Sequence, residues 1–481
     1  MALAKGPCIR YFRSRIVFPL SRLQKALRRQ GIAVAYADGI YTLSNPHAQA
    51  SVLLPHNFPL EEKAVRQLME FAAVSVPGQD GHVCKACATP DFHPGSIAPV
   101  GSIVATSPDM VIPAIPGTDI ACGMRLITTG LSLAQFEARK PQLLGKLKHV
   151  LLEDGRNVPL RSKAFAALFD VGPEAFIDSL HNEGLWPRVD KQRLLRELDD
   201  CIALRELGGG LRHAPEALVG TREVIRDPSL GTTGSGNHFV EIQLVDAVMD
   251  RHAAYRHGLV PGEVVVMIHS GSRDVGFFVG SRWMDRAKEA WPKGVRHPQS
   301  GLYGLTGELA GDYMDAMGVA SRYAWVNRMV LAELVRDSLS QVYAHDTSRL
   351  VVDVPHNVIL REHGMNIHRK GATPAREGDL ALIPGSMGDY SYVATGMGNP
   401  DWLWSCSHGA GRSIRRQAMR AMRPTVGGDE MAFQCVTLRE ERRVEEAPMA
   451  YKKIGPVIAA QEEAGLLQSV ARLKPLLTFK A

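Results

Sequence analysis

Four segments, three of them bearing glycines, carry side chains able to hold a divalent cation. Gly117-Thr118-Asp119-Ile120-Ala121-Cys122-Gly123-Met124-Arg125 puts a carboxylate and a thiol three positions apart. Gly234-Ser235-Gly236-Asn237-His238-Phe239-Val240-Glu241 adds an amide, an imidazole and a carboxylate. His269-Ser270-Gly271-Ser272-Arg273 and His356-Asn357 each add a further imidazole. Asp119, Cys122, His238, His269 and His356 together supply enough donors for two divalent ions if the thiolate bridges them. A mixed oxygen, nitrogen and sulfur set suits manganese, zinc or cobalt better than calcium. A single histidine beside a strand is ordinarily a hydrogen-bonded core residue, so it is the recurrence of the pattern that points to a metal site.

Phosphate chemistry enters through two more segments. In Ile383-Pro384-Gly385-Ser386-Met387-Gly388 small residues let backbone amides approach an anion closely. Ser407-His408-Gly409-Ala410-Gly411-Arg412 precedes a stretch that reads as a helix from Ser413, whose amides and dipole would favour an anion. His408 has room for a bulky adduct, and histidine attacks phosphorus when a metal or cations withdraw charge from it. On this motif alone a nucleophile and a general base, or a loop cap, are equal readings of His408.

The elements that must position these groups are visible as short, β-branched runs. Val264 to Ile268 runs into His269, Leu350 to Val354 into His356, and Leu380 to Ile383 into Pro384-Gly385-Ser386. Such runs read as buried strands, whose ends converge on one cleft. Leu60 to Ala73 reads as a helix with Ala64, Leu68 and Phe71 on one face. Residues from about 131 to 218 return to helical patterning, a helical excursion between two functional segments. The first sixty residues form a basic N-terminal element without an assigned function, with Arg10, Arg13, Arg15, Arg22, Arg28 and Arg29 and no acid before Asp38. Ile16, Val17, Leu20, Leu23 and Leu27 give that element a helical apolar stripe. Residues 61–481 read as one intertwined α/β (α+β) domain.

Bulk composition narrows the class. Of 481 residues 45% are hydrophobic, enough for a large core, and 56 basic against 50 acidic residues tilt the surface towards polyanions. Seven cysteines, an odd number without a signal-peptide pattern, lead us to expect a reducing, cytoplasmic setting. No apolar run approaches the roughly 20 residues of a membrane span, so no membrane partner is expected. Cys84-Lys85-Ala86-Cys87 lacks a second pair for a zinc ribbon and lacks a thioredoxin-like setting, so it reads as two buried thiols.

Taken in order, the segments resemble the RtcB family of RNA-splicing ligases. The resemblance runs from Pro90-Asp91-Phe92-His93-Pro94-Gly95 to the run ending at Lys480. It includes Asp-Ile-x-Cys-Gly-Met, Gly-Asn-His-Phe, His-Ser-Gly-Ser-Arg, His-Asn, His-Arg-Lys-Gly-Ala-Thr, Pro-Gly-Ser-Met-Gly and His-Gly-Ala-Gly-Arg. It implies a single domain of layered, mostly antiparallel sheets. It implies two Mn(2+) ions, one held by Asp119, Cys122 and His238 and one by Cys122, His269 and His356. It also implies that His408 attacks the α-phosphorus of GTP and carries GMP. The GMP would pass to an RNA 3′-phosphate, often formed from a 2′,3′-cyclic phosphate, and a 5′-hydroxyl end would displace it, in tRNA splicing or RNA repair. GTP contacts carried over by motif are Asn237, His238, Phe239, Val240, Glu241, His356, Asn357, Pro384, Gly385, Ser386, Met387, Ser391, His408, Gly409, Ala410, Gly411 and Lys480. Glu241 and Lys480 would read the guanine, while Arg273, Arg412 and Arg416 are candidate contacts to RNA or phosphate.

Four positions depart from the family pattern: Asp274, Pro374, Asp389 and Arg415. None removes a proposed ligand or the nucleophile, and all four are expected to bear on the RNA channel, as in a divergent repair paralogue. Two other classes compete with a ligase: a metal-dependent RNA phosphodiesterase or phosphatase, and a non-catalytic RNA-binding relative.

Overall fold

A computed structural model describes residues 22–55, 57–221, 223–344, 346–422 and 433–481. The strands of its two large sheets, in chain order, are β1 (Ala33–Ala37), β2 (Ile40–Ser44), β3 (Gln49–Leu53), β4 (Val83–His93), β5 (Val100–Thr106), β6 (Gly123–Ser132), β7 (Phe239–Val248), β8 (Glu263–Ser270), β9 (Leu350–Pro355), β10 (Asn357–Glu362), β11 (Met365–Lys370), β12 (Leu380–Pro384), β13 (Ser391–Gly396), β14 (Gln434–Thr437) and β15 (Leu467–Lys480). One sheet runs β1-β2-β3-β4-β5-β11-β10, and the other β9-β6-β8-β7-β15-β13-β12 with β14 beside β15. All these pairings are antiparallel except β3 with β4 and β14 with β15, so the mixed α/β class and the mostly antiparallel layers agree with the sequence reading.

The β-branched runs form strands because both faces of the second sheet are covered. Val264 to Ile268, Leu350 to Val354 and Leu380 to Ile383 are all buried, and they lie within β8, β9 and β12. The expected helix near Leu60 is α2 (Glu62–Ala72), which buries Ala64, Leu68 and Phe71, and it follows α1 (Arg22–Arg29), which buries Leu27. The rest of the N-terminal stripe, Ile16 to Leu20, and Arg10, Arg13 and Arg15 lie outside the described residues.

The stretch after β6 is helical in short pieces, starting with α3 (Leu133–Leu152), and packs its apolar side into the largest core. Through that core runs a 37-residue helix, Gly307–Tyr343, which the sequence reading did not single out. Its middle, from Ala316 to Arg336, is buried almost without interruption. A helix enclosed by protein on every side has no solvent-facing polar stripe, and so no amphipathic period by which to announce itself. No described helix is long and apolar enough to cross a membrane.

The Cys84–Cys87 pair corrects the expectation of two buried thiols. Both sit on β4, where residues three apart face opposite sides, so Cys87 is buried while Cys84 is exposed. Burial pushes the Cys87 thiol up to about 12.

Candidate active site

The candidate cation ligands meet because four neighbouring strands end on one edge of the second sheet. Gly123 at the start of β6 pairs with Ser270 on β8 and Pro355 on β9, and Phe239 at the start of β7 pairs with His269. Cys122 therefore precedes β6, His238 precedes β7, His269 closes β8 and His356 follows β9, all at the same end. At His356 the chain passes into β10 of the other sheet, which places the site at the junction between sheets.

The long central helix clamps the loops that carry these groups. Arg328, 2% exposed, donates to Ala121 O at 2.8 Å and Ser270 O at 3.1 Å while its Nη2 pairs with Asp353 Oδ1 at 2.6 Å. Asn327 accepts from Gly231 N at 2.8 Å and donates to Ser270 Oγ at 2.9 Å. Ala121, between Asp119 and Cys122, is held at φ 51, and its amide donates to Asn357 O at 2.7 Å. A left-handed alanine costs on the order of 1 kcal/mol, and the hydrogen bonds at both of its peptide groups fix it there.

Among the described residues two donor triads have their ligand atoms within 4.8 Å of one another: Asp119, Cys122 and His238, and Cys122, His269 and His356. Cys122 Sγ lies 3.1 Å from His238 Nε2 and 3.2 Å from His269 Nε2, and His269 Nε2 lies 3.3 Å from His356 Nε2. His238 Nδ1 is 2.8 Å from Thr233 O and His269 Nδ1 is 2.8 Å from Asn237 O. Only a protonated Nδ1 can donate to a carbonyl, so a neutral His269 turns its lone pair inwards at Nε2, while His238 Nε2 faces Asp119 Oδ2 at 3.1 Å. Burial, with neighbouring imidazoles adding to it, holds His269 and His356 well below the ordinary histidine range. Inward lone pairs facing one another repel unless a cation lies between them, so this donor set fits a divalent metal. Burial raises Asp119, but the His238 charge and hydrogen bond outweigh it and hold the carboxyl below its usual range. Burial and the Asp119 charge push the Cys122 thiol well up, so a cation taken up here would have to displace its proton.

His408 lines the same cavity beside these donors. It follows the short strand Ser405–Ser407, which pairs with Ala372–Pro374, and the Ser407 amide donates to Gln461 Oε1 at 2.7 Å. Its ring lies 4.7 Å from that of His356, and its Nδ1 is 2.7 Å from Asp91 Oδ2. Asp91 is wholly buried on β4 and also accepts from Thr89 Oγ1 at 2.6 Å. Burial raises its carboxyl, but the His408 hydrogen bond and charge outweigh that and lower it. The approach needs two glycines. A Cβ on Gly411, at φ 79, would meet Asp91 O at 2.2 Å, and one on Gly371, at φ 60, would meet His408 Cε1 at 3.0 Å.

These groups line a cavity of about 490 Å³ with Asn237, Asn357, Pro384, Gly385, Gly409, Ala410, Gly411, Arg412 and Arg416. Phe239, Val240, Glu241, Ser386, Met387, Ser391 and Lys480 do not line it. Lys480 sits one layer behind, its Nζ donating to Asn237 Oδ1 at 3.0 Å. Glu241 accepts from Gln243 Nε2 at 2.6 Å and from Thr478, and Gln243 also donates to Ser391 Oγ at 2.9 Å. Asn357 uses its amide structurally, donating to Asp119 O and accepting from Gly371 N. Arg273 borders a separate cavity.

The helix expected from Ser413 begins at Arg416 and runs to Met422 among the described residues. The Ser413 and Ile414 amides both donate to Ala450 O, at 2.8 and 3.1 Å, so they are spent within the protein and not offered to an anion. Of the four departures only Arg415 lines the cavity. Asp274 accepts from Ser229 Oγ at 2.6 Å, Asp389 accepts from the Ile454 amide, and Pro374 is buried in the strand pair behind His408.

Residues 67–481 match the family model described as tRNA-splicing ligase RtcB. The chain belongs to the RtcB family. It is 34% identical over 428 residues to the tRNA-splicing ligase RtcB of Thermococcus kodakarensis, covering 80% of this chain and 86% of that one. It is 33% identical over 441 residues to the RNA-splicing ligase RtcB of Mycobacterium tuberculosis, covering 84% and 98%. The RtcB protein of Archaeoglobus fulgidus is 31% identical over 454 residues, covering 87% and 91%.

Sequence reasoning missed the residues that hold this RtcB site together. Asp91 lay within a quoted motif, yet nothing local pairs it with His408. Glu446 is another: buried, it accepts from Arg412 Nη1 and Arg416 Nε, both at 2.8 Å, and from Tyr451. Burial raises Glu446, but the charges of Lys480, Arg416 and Arg412 outweigh that and bring it down to about 2. Lys452 braces the Asp91 turn by donating to Pro90 O at 2.8 Å and Phe92 O at 2.7 Å. Burial lowers Lys452 to about 8 against the pull of Asp91 and Glu61.

Proposed function

We propose that this RNA ligase is GTP- and Mn(2+)-dependent. In this reading it joins an RNA 3′-phosphate, or a 2′,3′-cyclic phosphate opened by water, to a 5′-hydroxyl end. His408 Nε2 forms a bond to the α-phosphorus of GTP as the bond to the bridging oxygen breaks and pyrophosphate leaves. The RNA 3′-phosphate then takes GMP from the histidine, and the 5′-hydroxyl attacks the activated phosphorus and releases GMP. Asp119, Cys122 and His238 would hold one manganese and Cys122, His269 and His356 the other. Bound there, the metals would offset charge developing on the phosphate oxygens.

The observation that carries this reading is the pose of His408. With Nδ1 engaged by a buried carboxylate, its Nε2 is the atom left to attack, and the donor cluster lines the same cavity with His356 beside the His408 ring. Incubation with α-labelled GTP and manganese followed by denaturation tests it. An acid-labile label on the wild-type chain that disappears in His408→Ala is expected. A wild-type chain that never takes label sinks the nucleophile assignment.

A further inference from the structure

Glu61 and Arg415 both line the central cavity, and neither comes from the family pattern. Glu61 lies ahead of the family match, which starts at residue 67, and Arg415 is one of the four departures. The N-terminal strands and α2 bring Glu61 to the site. β3 pairs in parallel with β4, the strand that carries Asp91, at Ser51 with Cys87 and Val52 with Ala88. On α2 the buried Gln67 donates its Nε2 to Gly95 O at 3.1 Å and to Ile97 O at 2.9 Å, on a loop whose Gly95, Ser96 and Ala98 line the same cavity. Glu61 stands just ahead of that helix, half-buried, and its carboxylate makes no capping hydrogen bond.

The lysine and arginines of the cavity differ in what engages them. Arg412 and Arg416 both pair with the buried Glu446, while Lys370 donates to Pro116 O at 2.9 Å and its charge acts on Asp119. Among the described residues the Arg415 guanidinium has no hydrogen bond and no close ion pair, and the residue is exposed. Asp119 and Glu61 are the only carboxylates in the lining, and Asp119 belongs to the candidate cation ligands. Burial raises the Glu61 carboxyl, and of the charges that counter it Arg415 exerts the largest, ahead of Lys452 and Lys63. One uncommitted guanidinium therefore sits near one uncommitted carboxylate in a cavity that has to admit phosphate. A guanidinium so placed can exchange a weak, half-exposed attraction for a forked contact to phosphate, whereas the carboxylate repels the same group.

We infer that Arg415 is a further positioning residue that takes a phosphate of the substrate in the central cavity, and that Glu61 is its counter-ion in the empty enzyme and opposes that phosphate on binding. This rests on the reading of the chain as a GTP-dependent RNA ligase. GTP and an RNA strand both bring phosphate to this cavity, and the group that Arg415 recognises is the same in each. The two residues make opposite demands: losing the arginine weakens the ligand, and losing the carboxylate tightens it. Residues that merely kept the wall in shape would weaken binding in both cases. The segment ahead of the family match thereby contributes a charge that sets how tightly the site holds phosphate.

The test is equilibrium binding of two probes to the full chain. One is GTP with Mn(2+), titrated by calorimetry in the His408→Ala background, where binding is read without transfer. The other is an end-blocked, fluorescent RNA oligonucleotide titrated over salt without GTP. Arg415→Ser is expected to weaken at least one probe about tenfold, with Arg415→Lys recovering part of the loss. A loss with the oligonucleotide, together with a slope of log affinity against log salt that is shallower by about one, assigns the contact to the strand backbone. A loss with GTP alone assigns it to the nucleotide. Glu61→Gln is expected to tighten the same probe about threefold, and by less in the Arg415→Ser background. Serine is a favourable residue ahead of a helix and Glu61 caps nothing, so neither change threatens the fold. Unchanged affinity of Arg415→Ser for both probes would overturn the proposal, as would a Glu61→Gln variant that binds like wild type or more weakly. Labelling of wild-type His408 by GTP is scored separately, so failure of the ligase reading and failure of this pair give different results.

Discussion

The Nδ1 of His408 and the Oδ2 of Asp91 lie 2.7 Å apart although 317 positions separate them in the chain. The carboxylate is wholly buried and lowered by the contact, so it is charged when it accepts the Nδ1 proton. A histidine so held presents one tautomer and one ring orientation, which is what an attacking Nε2 needs.

Asp91→Asn keeps the shape of this pair and removes its charge, and the amide can turn an N–H towards Nδ1 and reverse the tautomer. The rate of GMP transfer to the histidine should fall by about 10²–10⁴-fold while GTP affinity changes little. Rapid-quench labelling and calorimetric GTP titration measure the two quantities. Equal losses in both would mean that Asp91 holds the pocket and not the nucleophile.

Cys122 belongs to both donor triads, so its loss should affect both ions together. Cys122→Ser is expected to weaken Mn(2+) binding by at least about 10- to 100-fold. Because burial and Asp119 keep the thiol protonated, metal uptake by the wild-type chain should also release about one proton near pH 7. Titration in two buffers of different ionisation enthalpy reads that proton, which should vanish in the serine variant. Unchanged affinity in Cys122→Ser would remove the shared thiolate.

The donor cluster was legible in the sequence because His269 and His356 follow β-branched runs while Asp119, Cys122 and His238 lie in glycine-bearing segments, and strand periodicity is a local signal. Strand ends converge when their neighbours are antiparallel, so five residues scattered from Asp119 to His356 could be grouped before any coordinates. What holds them was not legible. Asn327 and Arg328 sit inside a helix buried all round, where no polar face marks them as special. Asp91 reaches His408 across 317 positions, and Glu446 reaches Arg412 and Arg416 from 34 and 30 positions away, separations that only the folded chain closes. The anion reading of Ser413 failed for a similar reason, since its amide is consumed by Ala450, which lies 37 residues on.

Glu446 should make part of the stability depend on acid pH. Its folded value of about 2 lies below the ordinary 4.5, so its contribution is complete above about pH 4.5 and is lost as pH falls towards 2. Glu446→Gln leaves Arg412 and Arg416 without their shared partner and should cost about 3–5 kcal/mol at pH 7. The gap between wild type and variant should shrink by about 2 kcal/mol at pH 3. Urea unfolding at the two pH values measures it, and a gap independent of pH would assign the cost to packing.

Guanine selection can be separated from structure at Glu241. This buried carboxylate sits on β7 opposite Thr478, taking hydrogen bonds from Thr478 and Gln243, with Lys480 two residues further along β15. Those bonds and the Lys480 charge counter the upward push of burial on its pKa. If the carboxylate and Lys480 together read a purine edge, Glu241→Gln loses an acceptor that guanine's ring N–H and amino group require and adenine does not. The ratio of His408 labelling by GTP to that by ATP should then fall on the order of 10²-fold. Lys480→Ala, which frees Asn237, should lower the same ratio. A variant that melts earlier but keeps the wild-type ratio would restrict Glu241 to bracing β7 against β15.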